Sequence, residues 1–153
     1  MFGLCVALAG CRREAELEPT IFLKMRVQAW FRKQGRQGWA TCPLTQAGFV
    51  RIAANPAFSP DAVTPQEAAA LLHSNLKHPS HEFWADEISF VDAVTPFQKE
   101  LFGHRQVTDA YLLGLVMHKK GKLVTVDRGV AALLPKDPTA TVRGDAVSCS
   151  SRR

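Results

Sequence analysis

Apolar residues recur at helical spacing in IFLKMRVQAWFR, residues 21–32, where Leu23, Val27, Trp30 and Phe31 share a face. KQGRQG interrupts the pattern, and WATC at 39–42 suits a short strand. In PLTQAGFVRIAANP, Leu44, Ala47, Val50 and Ala54 again fall near one face. Pro43 is compatible with the first turn of that helix, and Pro56 disfavours a helical conformation at Asn55. A further helix starts at Thr64, with Pro65 at its first position and Glu67 completing a capping box. KHPSHEFWADE, 77–87, reads as a polar break, ISFVDA, 88–93, as a strand, and TPFQKELFG, 95–103, as a helix ending at Gly103. VTDAYLLGLVMHKKG predicts a helix closed by Lys119, Lys120 and Gly121. KLVTV is then a buried strand, DRGVAALLP a short helix halted by Pro135, and TATVRGDAV, 139–147, a last strand. The alternation of helices and strands predicts an α/β domain with a mainly parallel sheet. One domain is expected over residues 21–148, preceded by an atypical segment at 1–20 and followed by a tail at 149–153.

Composition narrows the class. At 153 residues, with 46% hydrophobic and 22% charged positions, the chain suits a single globular core and not a disordered protein. A net charge of +5 permits a polyanionic partner without requiring one. Cys5, Cys11, Cys42 and Cys149 form no C-x-x-C pair, so reduced thiols in a cytoplasmic protein are expected. The apolar start MFGLCVALAGC contains LAGC, which resembles a lipoprotein cleavage box. It lacks a basic leading region, and a run of about ten residues is too short to span a bilayer, so no membrane association is expected.

The chemistry rests on acids. Asp109 lies in the first turn of its helix, and Asp127 directly follows a strand. Each has a plain structural role available, Asp109 complementing the helix dipole and Asp127 as an N-cap. Taken together they suggest more. In parallel α/β sheets ligands bind at the carboxyl ends of strands. Two carboxylates held close repel unless a proton or a cation intervenes. A hard divalent ion takes one or two carboxylates together with waters and phosphate oxygens. Metal-assisted phosphodiester hydrolysis is the chemistry that suits such a pair.

WATCPLTQAGFVRIAANPAFSP, HRQVTDAYLLGLV and LVTVDRGVAALLP, spread over roughly residues 23–135, together resemble the PIN-domain ribonucleases of bacterial VapC-type toxins. The resemblance implies a three-layer α/β/α sandwich, Mg²⁺ or Mn²⁺ dependence, endonucleolytic cleavage of RNA, inhibition by a cognate antitoxin and a homodimer. By position, Asp109 and Asp127 match two of the family's acidic metal ligands. Gln46 stands where many members carry glutamate, and it can offer a carbonyl oxygen but no charge. These three are the expected catalytic residues, with Thr108, Arg105 and Arg128 as the expected RNA contacts. Thr125 flanks the second acid and would orient it or a water, or serve simply as a β-branched strand residue.

The N-terminus departs from the family, whose members begin with an apolar strand ending in aspartate. This chain has no aspartate before Asp61 and offers only Glu14, Glu16 and Glu18 in that region. A shifted reading frame over the first twenty residues would produce this pattern. As written, the chain is expected to lack a principal metal ligand and the strand that carries it. Two functional readings therefore stand side by side. One is a Mg²⁺-dependent endoribonuclease toxin; the other is an inactive PIN module that binds antitoxin or RNA without cleavage. A third reading makes the acids caps alone. His78 and His81 are expected to be solvated surface residues, since a zinc site needs three or four ligands. Trp30, Trp39 and Trp84 are expected in the core, and the AWF segment is a candidate interface.

Overall fold

A computed structural model of the chain describes residues 4–6, 29, 31–33, 35–58, 60–125 and 128–134. These fall into two compact units, one made of residues up to Trp84 other than the first strand, the other of that strand with everything from Ala85 onward.

In the first unit, β2 (Trp39–Thr41) and β3 (His81–Phe83) run parallel, with Trp39 opposite His81 and Thr41 opposite Phe83. Parallel strands need a long crossover. Here it holds two helices packed on each other, α1 (Pro43–Ala53) and α2 (Pro65–Leu76). Pro43 and Pro65 occupy the first turns, as their fixed φ allows. The entry to α1 is held by Thr45, whose hydroxyl accepts from the Cys42 N–H and donates to the Cys42 carbonyl, both at 2.9 Å. The predicted capping box at α2 is present. Glu67 N–H donates to Thr64 Oγ1 at 3.2 Å, and Thr64 N–H donates to Glu67 Oε2 at 2.8 Å. The hydrogen bonds from Thr64 hold the Glu67 carboxyl below its ordinary range. Thr64→Ala is expected to cost about 1 kcal/mol in a denaturant titration. An unchanged midpoint would mean that the cap contributes nothing to α2.

The second unit pairs strands from opposite ends of the chain. β1 (Leu4–Val6) runs parallel to β4 (Lys122–Val124), Leu4 opposite Lys122 and Val6 opposite Val124. α3 (Phe90–Val94) packs on α4 (Val107–His118), and α4 packs on β4. From Asp109 to Val116 every residue of α4 is buried. A helix apolar on all sides belongs inside a core, and Phe97, Leu112, Leu115, Leu123 and Leu133 complete that core. α3 and α4 meet at Gly114. A Cβ there would lie 2.6 Å from both the carbonyl carbon and Cα of Ala93 and closer still to its oxygen. α4 ends with Gly121 N–H on the Val116 carbonyl at 2.9 Å, and Lys120, rather than the glycine, adopts the left-handed conformation at φ 54°.

The α/β class and the parallel pairing agree with the sequence reading, but several elements differ. The N-terminal run, read as lacking a strand, supplies β1. The supposed polar break contains β3. ISFVDA forms no strand: Ser89 accepts from Asp92 N–H at 3.2 Å and opens α3, which buries Ala93 and Val94 and exposes Phe90 and Val91. The helix predicted over 95–103 is reduced to a 3₁₀ turn, Thr95–Phe97, and the segment after Asp127 is 3₁₀ rather than α over Arg128–Leu133. Of the helix predicted at 21–32, the described residues 29, 31 and 32 are helical, as is 33. The last predicted strand lies outside the described residues. Among the described residues, no helix is long and apolar enough to cross a membrane.

Candidate active site

Asp109 is the third residue of α4, and only 7% of its surface is exposed. Taking a carboxylate out of water costs several kcal/mol unless partners compensate it. The amide dipoles at a helix N-terminus recover roughly 0.3–1 kcal/mol of that. A surface cap bears no such cost, so a buried acid at this position differs from an exposed one. The helix is delivered by a 3₁₀ turn, His104–Gln106. Its entry is fixed by Gln106, whose Oε1 accepts from both Phe102 N–H and Gly103 N–H at 3.0 Å. The G-x-x-Q spacing is a capping signal that the sequence reading passed over. Phe90 stacks on Tyr111, two residues along α4 from Asp109, at a centroid distance of 6.2 Å. At the far end of α4, Lys119 meets Glu87 at 2.6 Å, and this pair holds the Glu87 carboxyl below its ordinary range.

Thr108 and Arg105 are exposed beside Asp109, on the first turn of α4 and on the turn before it. Thr125 is buried at the end of β4, with 6% of its surface exposed. Asp127 lies outside the described residues, as does the Arg128 side chain. The turn that begins at Arg128 packs both on α4 and on the turn His104–Gln106. The chain therefore returns to the mouth of α4 immediately after Asp127. Among the described residues, no three His, Cys, Asp or Glu side chains cluster closely enough to hold a metal ion. The chemistry of the described donors does suit a hard cation, which prefers carboxylate oxygen and needs as few as one or two such ligands.

Gln46 stands in the other unit, on α1, half-buried. Its Nε2 donates to Thr41 Oγ1 at 3.0 Å, and the same hydroxyl lies 2.9 Å from His81 Nε2. His81 is thus no solvated surface residue, whereas His78 is exposed and accepts from Ser80 N–H at 3.1 Å. Trp39 and Trp84 are buried as expected, and Phe31 packs edge-on against Trp39 at 5.1 Å. Burial lowers the His81 pKa from 6.5, opposed by a hydrogen bond to the Leu76 main chain. Below 6.5 the unfolded chain takes up a proton at this residue before the folded chain does. Folding stability is therefore expected to fall as pH drops from 6.5 toward the folded pKa. Urea titrations of the wild type and His81→Gln check this. An equal slope against pH in both would assign the effect elsewhere.

A buried acid at the mouth of a core helix, on a chain built of parallel strand–helix units, points to the nuclease class. No family profile matches the chain, but individual relatives do. It is 42% identical over 117 residues to Ribonuclease VapC38 of Mycobacterium tuberculosis (strain ATCC 25618 / H37Rv), covering 76% of this chain and 81% of the relative. It is 38% identical over 106 residues to Ribonuclease VapC44 of M. tuberculosis (strain CDC 1551 / Oshkosh), covering 69% and 74%. It is 36% identical over 104 residues to Ribonuclease VapC39 of that strain, covering 68% and 75%. The chain belongs to the VapC ribonuclease family and shares its PIN-type α/β fold.

Proposed function

We propose that the protein is a cytoplasmic endoribonuclease toxin that cleaves RNA with a divalent cation, Mg²⁺ or Mn²⁺, and is neutralised by a cognate antitoxin. One observation supports this reading most: the turn following Asp127 packs against the mouth of the helix that carries buried Asp109. Asp109 and Asp127 would hold the cation by their carboxylate oxygens. When bound, such an ion lowers the pKa of water and neutralises charge building on a phosphodiester. The chain's own residues do the rest. Asp109 sits at the start of the buried stretch of α4, Asp109 to Val116. Arg105 and Thr108, exposed beside it, would contact phosphate oxygens, which guanidinium groups bind well. Arg128 and Gln46 are assigned to RNA and to the reacting water from their positions in the family pattern. A homodimer is the assembly we propose.

The test is cleavage of a 5′-labelled RNA pool by the full chain with Mn²⁺, alongside calorimetric Mn²⁺ titration. Saturable binding together with internal cleavage is expected. Binding without cleavage, or neither, would overturn the enzyme reading and favour the second one, an inactive module that docks antitoxin or RNA. A specific observation supports that alternative. β1 is present and paired to β4, yet the first carboxylate after it in the sequence is Glu14.

A further inference from the structure

Phe102 is the most exposed large apolar side chain among the described residues, at 89% against 65% for Val91, the next. A lone apolar residue on a surface is ordinary, but this one stands where the start of a helix often buries it. Gly103 caps the helical run that passes from His104–Gln106 into α4, so Phe102 is the residue just outside the cap. An apolar side chain there often packs on the fourth helical residue, here Val107. Val107 is itself exposed, and a ring as open as that of Phe102 does not cover it, so no such staple forms. The backbone behind the ring is nonetheless fixed. Gln106 Oε1 accepts from the Phe102 and Gly103 N–H groups, each at 3.0 Å. A pinned turn thus holds an aromatic ring out in solvent, where it contributes little to helix or core.

The neighbours of the ring indicate what would cover it. Lys99, His104 and Arg105 are exposed on the same segment, and half-buried Glu100 is the one carboxylate from Gln98 to Thr108. The centre of a protein–protein contact is depleted in charged residues. A surface for a single nucleic acid strand instead combines cations that follow the phosphates with aromatic faces on which bases stack. Phe102 also belongs to the unit that carries Asp109. One extended step to Gly103 and a short helical run separate them, which puts their Cα atoms roughly 15 Å apart or less. At about 3.4 Å per stacked nucleotide, a strand covers that distance in a few nucleotides. We propose that Phe102 is an RNA-binding residue, on whose ring a base within a few nucleotides of the cleaved bond stacks. This rests on the reading of Asp109 as the place of cleavage. That base must be unpaired, because paired bases already stack on one another. Stacking uses a face that every base has, so the contact is tolerant of sequence. It holds the strand equally before and during the chemical step, and therefore acts on KM and not on kcat.

The test compares the full chain with Phe102→Ala, Phe102→Leu and Phe102→Tyr in two assays. One is the fluorescence anisotropy of labelled oligoadenylate without divalent cation, the other cleavage kinetics with Mn²⁺ on an RNA that the wild type cuts. The side chain is exposed, so all three variants are expected to unfold with the wild type in denaturant. Phe102→Ala and Phe102→Leu are expected to weaken binding and raise KM about tenfold with kcat little changed, and Phe102→Tyr to match the wild type. The salt dependence of binding is expected to persist in Phe102→Ala and to flatten in Arg105→Ala. Removing the bases beside the cut one at a time is expected to find one position where the loss equals that of Phe102→Ala and adds nothing to it. An alanine variant that binds and cleaves like the wild type, a leucine variant as good as tyrosine, or losses that add in full at every position would each overturn the proposal. Unchanged RNA binding with altered sedimentation would overturn it in favour of a protein interface. If the chain cleaves nothing but Phe102→Ala weakens oligoadenylate binding, stacking stands and the enzyme reading fails. If it cleaves and the KM of Phe102→Ala is unmoved, stacking alone fails. A wild type that neither binds nor cleaves RNA overturns both.

Discussion

Asp109→Asn is expected to reduce RNA cleavage at least about a hundredfold, the upper range for groups one layer further from a bound metal. The substitution keeps the shape of the side chain and its place in the first turn of α4. What it removes is one negative charge, the property a hard cation selects. The fold is expected to be retained, because the amide keeps the hydrogen-bonding shape of the side chain and removing a buried charge offsets part of the interaction lost with the helix dipole, itself roughly 0.3–1 kcal/mol. Calorimetry should show saturable Mn²⁺ binding disappear while the thermal unfolding curve stays close to that of the wild type. Cleavage at the unsubstituted rate would return Asp109 to the status of a capping acid and remove the main support for the enzyme reading.

Gly114→Ala is expected to destabilise the protein by about 3 kcal/mol or more, at the severe end for a single methyl group. Taken alone, alanine in a helix interior would stabilise by about 0.5–1 kcal/mol. The expected sign is reversed because the new carbon would collide with the Ala93 carbonyl group, which is backbone and cannot swing aside. α3 and α4 would have to separate, opening the core around Asp109. Gly103→Ala is the control. A Cβ there meets only the Gln106 side-chain oxygen at 3.7 Å, and φ at this residue is −127°, open to any residue. Denaturant titrations should place the two variants far apart. A stable Gly114→Ala protein would show that the close crossing of the two helices is not required.

Where the sequence was legible, a strong local signal agreed with the tertiary environment. The Thr64–Glu67 box, Pro43 at a helix start and the continuous apolar run of α4 were each readable from side-chain chemistry and spacing. The failures have specific causes. β3 spans three residues, His81–Phe83, too few for alternation to register, and its half-exposed side chains resemble a loop. At ISFVDA the β-formers Ile, Phe and Val outweighed Ser89 and Asp92, although the pair closes an N-terminal turn as Thr64 and Glu67 do. β1 is a strand because β4 lies beside it, a partner distant in sequence. Asp109 stood out in the sequence by its place at the mouth of an apolar helix, whereas its burial emerged only from the packing around α4. The Thr41–His81 link was not foreseeable, since Cα pairing across two parallel strands and a two-helix crossover, invisible in linear order, brings the two residues together.

The pairing of Leu4–Val6 with Lys122–Val124 has a consequence for biosynthesis. While the chain emerges from the ribosome, the β1–β4 pair cannot close until Lys122–Val124 has been made. Contacts so distant in sequence close late and slowly. The unit that carries Asp109 therefore cannot complete this pairing before β4 has emerged, and nascent products that stop short of Lys122 would lack the β4 strand.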